Sequence, residues 1–118
     1  MVFEADDIRN WRGHNVVDDS GTKIGELEAL YVDTRTDEYA FATVKIGMLS
    51  RQRLVFVPTA GAIVGPNYLK VAFPKKLVRD APSIDTDGEL LAPDEPAVFR
   101  HYELPYDASE TERLLARR

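Results

Sequence analysis

His14-Asn15-Val16-Val17-Asp18-Asp19-Ser20-Gly21-Thr22-Lys23-Ile24-Gly25-Glu26-Leu27-Glu28-Ala29-Leu30-Tyr31-Val32-Asp33 is the stretch that decides the fold. His14 to Val17 reads as a strand. Asp18-Asp19-Ser20-Gly21 reads as the turn after it, because aspartate and serine side chains bond their own backbone and glycine takes positive φ freely. Lys23 to Asp33 then forms a long strand whose apolar pattern changes phase. Leu27, Ala29 and Tyr31 alternate on one face, while Leu30 and Val32 occupy the other. Such a strand is either buried on both faces or kinked by a bulge, and Gly25 suits the bending.

Working outward, Arg35-Thr36-Asp37-Glu38 is a polar turn into a strand over Tyr39 to Ile46. Its small-then-branched face, Ala40, Ala42, Val44 and Ile46, is expected to look inward, because a narrow barrel needs small residues inside. Gly47 to Gln52 is a loop. Arg53 to Val57 is a strand stopped by Pro58, which cannot donate to a ladder. Ala62 to Val64 and Tyr68 to Phe73 are strands joined across Gly65-Pro66-Asn67, a strong turn signal. Six short strands with frequent turns predict an all-β fold, a small closed or partly open β-barrel, since closure removes exposed strand edges.

The flanks read as helix and arm. Asp6 caps a short N-terminal helix through Trp11, and Pro74 opens a single helical turn through Arg79. Ser83 to Pro93 is an extended arm, after which Asp94 caps a helix through Tyr102. Ser109-Glu110-Thr111-Glu112 is a capping box that predicts a last helix carrying Leu114 and Leu115 and ending in Arg117-Arg118. The expected division is a barrel over residues 1–81 and an acidic C-terminal arm over 82–118, packed on the barrel or on a partner subunit.

With 118 residues the chain fits one domain. It has no cysteine, which excludes disulfides, thiolate metal sites and cysteine nucleophiles. The acidic start Met1 to Asp7 is unlike a signal peptide, and no run approaches the roughly 20 apolar residues of a membrane-spanning helix. A cytoplasmic location without membrane insertion is the expectation. From Met1 to Asp80 the charges balance, 11 Lys/Arg against 11 Asp/Glu, so the whole excess of −5 falls after Ala81. An acidic chain repels a phosphate backbone, which disfavours nucleic acid as the main partner.

The run Trp11-Arg12-Gly13-His14-Asn15-Val16-Val17-Asp18-Asp19-Ser20-Gly21-Thr22-Lys23-Ile24-Gly25-Glu26-Leu27, continuing to Leu30-Tyr31-Val32-Asp33, resembles the opening of PRC-barrel domains. Val55-Phe56-Val57-Pro58 is similar to the family's later strand ending in Val-Pro. His101-Tyr102-Glu103-Leu104-Pro105-Tyr106 is similar to tails on some stand-alone bacterial members. The resemblance spans about Asp6 to Ala81 and rests on turn glycines and strand hydrophobics. It implies a small barrel that mediates association and transfers no catalytic residue. Similar domains occur in a photosynthetic reaction-centre subunit and in a ribosome maturation factor. This chain lacks the membrane helix of the first and the separate N-terminal domain of the second.

No residue pattern marks an enzyme. His14 and His101 would have to converge with carboxylates to hold zinc, and His101 is expected instead to pack beside Tyr102 with a backbone hydrogen bond. Asp85-Thr86-Asp87-Gly88-Glu89 places its glycine too early for a calcium loop. The serines lack a nucleophile elbow, and Gly61 to Gly65 lacks the lysine of a phosphate loop. No cofactor is called for. The candidate interaction surface is therefore Phe99, His101, Tyr102, Leu104 and Tyr106, aromatic-rich and outside the barrel, together with the bases Arg51, Arg53, Lys75 and Lys76. The aromatics either cover the barrel in cis or contact a second subunit. The acids Asp85, Asp87, Glu89, Asp94 and Glu95 either stay solvated or fold across the bases and Arg79. The expected function is a non-catalytic, self-associating adaptor, a homodimer binding protein. A small-molecule sensor with its ligand between barrel and tail, or a ribosome- or RNA-associated factor, are the alternatives.

Overall fold

The computed structural model describes residues 12–48, 50–106 and 114–117. The helix expected from Asp6 to Trp11 lies outside them. Eight strands form one sheet: β1 Asn15–Val17, β2 Lys23–Asp33, β3 Glu38–Ile46, β4 Arg53–Pro58, β5 Ile63–Val64, β6 Tyr68–Lys70, β7 Ser83–Ile84 and β8 Leu115–Arg117. Among the described residues there are also two short helices, α1 Lys75–Arg79 and α2 Glu95–His101, with a 3-10 turn at Ala92–Asp94 leading into α2.

The sheet runs β5-β6-β1-β2-β3-β4-β7, and its end strands do not pair with each other. The closed or partly open barrel of about six strands that was expected is thus one open, curled sheet, with eight strands among the described residues. β2 explains the curl. It is long enough to pair with β3 along one side, and with β1 and then β8 along the other. The sequence left two readings of β2 open, buried on both faces or bulged, and both hold. The register with β3 slips between Leu27 and Ala29 and again between Tyr31 and Val32, while Ala29 through Val32 are all buried. Each extra residue re-aims the side chains after it, which is why the apolar pattern changes phase.

Both faces of β3 are also used. Ala42, Val44 and Ile46 are buried as expected, but so are Phe41 and Thr43 on the other face. The reason is α2: the Phe41 ring meets Phe99 edge-on at 5.1 Å. Thr43 donates its hydroxyl to Glu28 on β2 at 2.7 Å, so the polar side chain is satisfied in place.

The C-terminal third joins the sheet instead of trailing from it. β7 pairs with β4, Leu54 against Ile84 and Val55 against Ser83. The helix expected to end at Arg117-Arg118 is overturned over its last turn. Leu115 to Arg117 is strand β8, antiparallel to Tyr31–Asp33 of β2, and residues 109–113 lie outside the described chain. A capping box is a local preference. Burial of Leu114 and Leu115 and a free ladder edge on β2 outweigh it. Asp94 does precede α2, although its side chain makes no capping bond.

Candidate interaction surface

Four of the five aromatic-stretch residues are held by the body of the protein. Tyr102 is buried, stacks edge-on against Phe73 at 5.0 Å and donates its hydroxyl to the Phe56 carbonyl oxygen at 2.6 Å. Burial pushes that phenol well above its ordinary value, so it remains a donor at every physiological pH. His101 packs against the Tyr102 ring at 4.9 Å, and its Nε2 lies 2.6 Å from the Leu77 carbonyl oxygen, the packing expected of it. Phe99 is buried between Phe41 and Tyr106. These contacts all lie within the chain, and Leu104 is the stretch's one large apolar side chain left exposed.

Tyr106 leads to a fully satisfied polar group in the core. Glu95, on the first turn of α2, is fully buried. Its Oε1 accepts the Tyr106 hydroxyl at 2.8 Å and the Leu114 amide at 2.9 Å, and its Oε2 accepts the Leu115 amide at 3.0 Å. Burial, reinforced by the hydrogen bond to Glu95 and its charge, pushes the Tyr106 phenol up to about 12. Glu95 was expected among the acids that either stay solvated or fold across the bases. It is instead a clamp that fixes β8 beside β2, and the Arg117 guanidinium bonds the Glu28 carboxylate at the strand's far end.

Among the expected bases, Arg53 donates to the Arg79 carbonyl oxygen at 2.8 Å, while Arg51 and Lys76 are exposed. Lys75 opens α1, and its amide donates to Asp18 Oδ2 at 3.2 Å. Asp18 Oδ1 accepts the amides of Ser20 and Thr22, so one carboxylate joins the β1–β2 turn to α1. Burial acts to raise the Asp18 carboxyl, but the amides of Thr22, Lys75 and Ser20 outweigh it and hold the group below 3.8. A carboxyl lowered on folding takes up its proton more readily in the unfolded chain. Its contribution is therefore complete above the ordinary carboxylate range and is lost as pH falls through the folded value. Asp18→Asn should accordingly flatten the acid limb of stability, read as urea midpoints from about pH 6 down to about pH 3. An acid limb as steep as the wild type's would remove Asp18 from that role.

What stays outward is the β5–β6 hairpin at the sheet's end. Ile63 is 57% exposed and Val64 37%, side by side on a strand whose outer edge has no neighbour in the sheet among the described residues. These two residues were read as strand but not as surface. The signal was present: a run of consecutive apolar residues must send side chains to both faces, and a two-residue strand at an edge has no second layer to cover them. Met48 and Leu91 are also exposed, but on separate loops, as single apolar side chains commonly are. Among the described residues no group of His, Asp and Glu is placed to hold a metal ion, and no helix is long and apolar enough to cross a membrane. A family model for the PRC-barrel domain matches residues 3–78. No curated protein matches the chain.

Proposed function

The chain belongs to the PRC-barrel domain family, and from that premise we propose that it is a non-catalytic, cytoplasmic protein-binding module that pairs with a second copy of itself through β5. The observation that carries this reading is the bare apolar edge at Ile63–Val64. Exposed edges are usually guarded by lysine, proline or a bulge placed against pairing. From Leu54 to Leu69 this chain has no Asp, Glu, Lys or Arg at all, although 30% of its residues are charged. Two copies of net charge −5 repel each other over most of their surfaces, and an uncharged strip is where they meet at least cost. Antiparallel pairing of two identical edges is two-fold symmetric, so each β5 supplies the groups the other needs.

An interface centred on so short a strand falls at the small, transient end of the size range, so a weak dimer is expected. Sedimentation equilibrium tests it. The wild type should show a concentration-dependent dimer, and Ile63→Lys/Val64→Lys should be monomeric with an unchanged circular dichroism spectrum. A wild type that stays monomeric up to millimolar concentration, or a double variant that still dimerises, would refute pairing through β5.

A further inference from the structure

We propose that the cleft bounded by Lys23, Lys45 and Lys75 binds a small phosphorylated molecule, its phosphate lying among the three ammonium groups. The cleft, about 420 Å³, is assembled from separate parts of the chain: the start of β2 from Lys23 to Glu26, the end of β3 at Lys45 and Ile46, Gly47 and Gln52 of the following loop, and the first residue of α1. That volume falls within the span of roughly 300–1,000 Å³ typical of small-molecule sites. None of its residues belongs to β5 or β6, so the site is independent of the proposed dimer.

The lysines are short of counter-charge. Neither Lys23 nor Lys45 has an ion-pair partner among the described residues. Lys75 is attracted by the neighbouring Asp18 carboxylate, so it is partly compensated while Lys23 and Lys45 are not. The lining holds one carboxylate, Glu26, which is the cross-strand neighbour of Lys45. Three cations against Glu26 in the lining and Asp18 beside it still leave an excess of positive charge at this cleft of an acidic protein. Like charges gathered on a concave surface raise the local concentration of anions.

Phosphate fits this wall better than other anions do. A phosphate monoester carries about −1.5 to −2 charges near neutral pH, so it is drawn more strongly by the three ammonium groups than a singly charged carboxylate is. Lysine binds phosphate as a point charge. Gln52 adds an amide donor. No aromatic side chain lines the cleft, so it offers no platform on which nucleic-acid bases could stack.

The test uses the full-length chain, isotope-labelled, titrated with sodium pyrophosphate at low ionic strength and followed by amide chemical shifts. Saturable shifts are expected at Lys23–Glu26, Lys45–Gly47, Gln52 and Lys75. Lys45→Gln/Lys75→Gln should weaken binding about tenfold, which corresponds to 1.4 kcal/mol. Glu26→Gln removes the one opposing charge of the lining and should tighten binding about two- to threefold, a change of sign that general loss of structure would not give. Shifts that never saturate, or that are equally large at Arg51, Arg53, Lys76 and Arg79, would overturn the proposal. So would weaker binding by Glu26→Gln, or binding to phosphatidylglycerol vesicles or an RNA oligonucleotide without any saturable response to pyrophosphate.

Discussion

Glu95→Ala should lower the unfolding free energy by about 3 kcal/mol, among the largest effects a single substitution outside the apolar core produces. The carboxylate is fully buried and answers three donors, the amides of Leu114 and Leu115 and the hydroxyl of Tyr106. Alanine leaves all three without an acceptor, at about 1–3 kcal/mol for each that stays buried. The chain limits that loss by releasing β8, because free amides then bond water. The total is therefore set by how tightly residues 114–117 are docked. The signature is local: hydrogen-exchange protection should fall at Leu115–Arg117 and along Tyr31–Asp33 while the β3–β4 ladder stays protected. Urea unfolding gives the magnitude. Glu95→Gln should cost less, about 2 kcal/mol, since its carbonyl oxygen still accepts but its amide group faces a donor. Wild-type stability in both variants would mean that β8 is held by apolar contacts alone.

The second large effect is expected at Gly25, where β2 runs against β3. A methyl group there would overlap the Lys45 carbonyl oxygen and come within 2.9 Å of Val44 Cγ1. The first of these is backbone and cannot swing away as a side chain could. Gly25→Ala should therefore destabilise by about 3 kcal/mol, the upper end of what overpacking costs, and shift the β2–β3 register. By contrast, Gly13 and Gly21 meet nothing within 4 Å, so any strain there comes from their positive φ. Differential scanning calorimetry of Gly25→Ala separates the cases. A melting temperature within 1–2 °C of wild type would show that the strands part without cost, against the roughly 4–8 °C per kcal/mol typical of a domain near this size.

Local pattern carried the central strands and their turns. β2 and the β1–β2 turn were legible because each depends on residues a few positions apart: alternation for the strand, and Asp18, Ser20 and Gly21 for the turn. The tail was legible only in part. A capping box at Ser109 predicts a helix, yet Leu115–Arg117 forms a strand because a free edge on β2, more than 80 positions earlier, accepts it. Nothing near residue 115 encodes that edge. Glu95 failed in the same way. An acid among acids reads as solvated, and only the fold brings Leu114, Leu115 and Tyr106 around its carboxylate. Phe99 and Tyr102 were legible as an aromatic stretch outside the strands, but their neighbours Phe41, Phe73 and Phe56 were not, since these lie 29 to 58 positions earlier. The lysine cleft was invisible because Lys23, Lys45 and Lys75 share no spacing.

With Phe99 and Tyr102 packed within the chain, the proposed self-association rests on the sheet's end at β5. The most direct measurement mixes labelled and unlabelled chains and records isotope-filtered nuclear Overhauser contacts between copies. Intermolecular contacts from Ile63 and Val64 to the same residues of the second copy are the expected result. Contacts confined to residues 99–106 or 114–117, or no contact between copies at all, would contradict it.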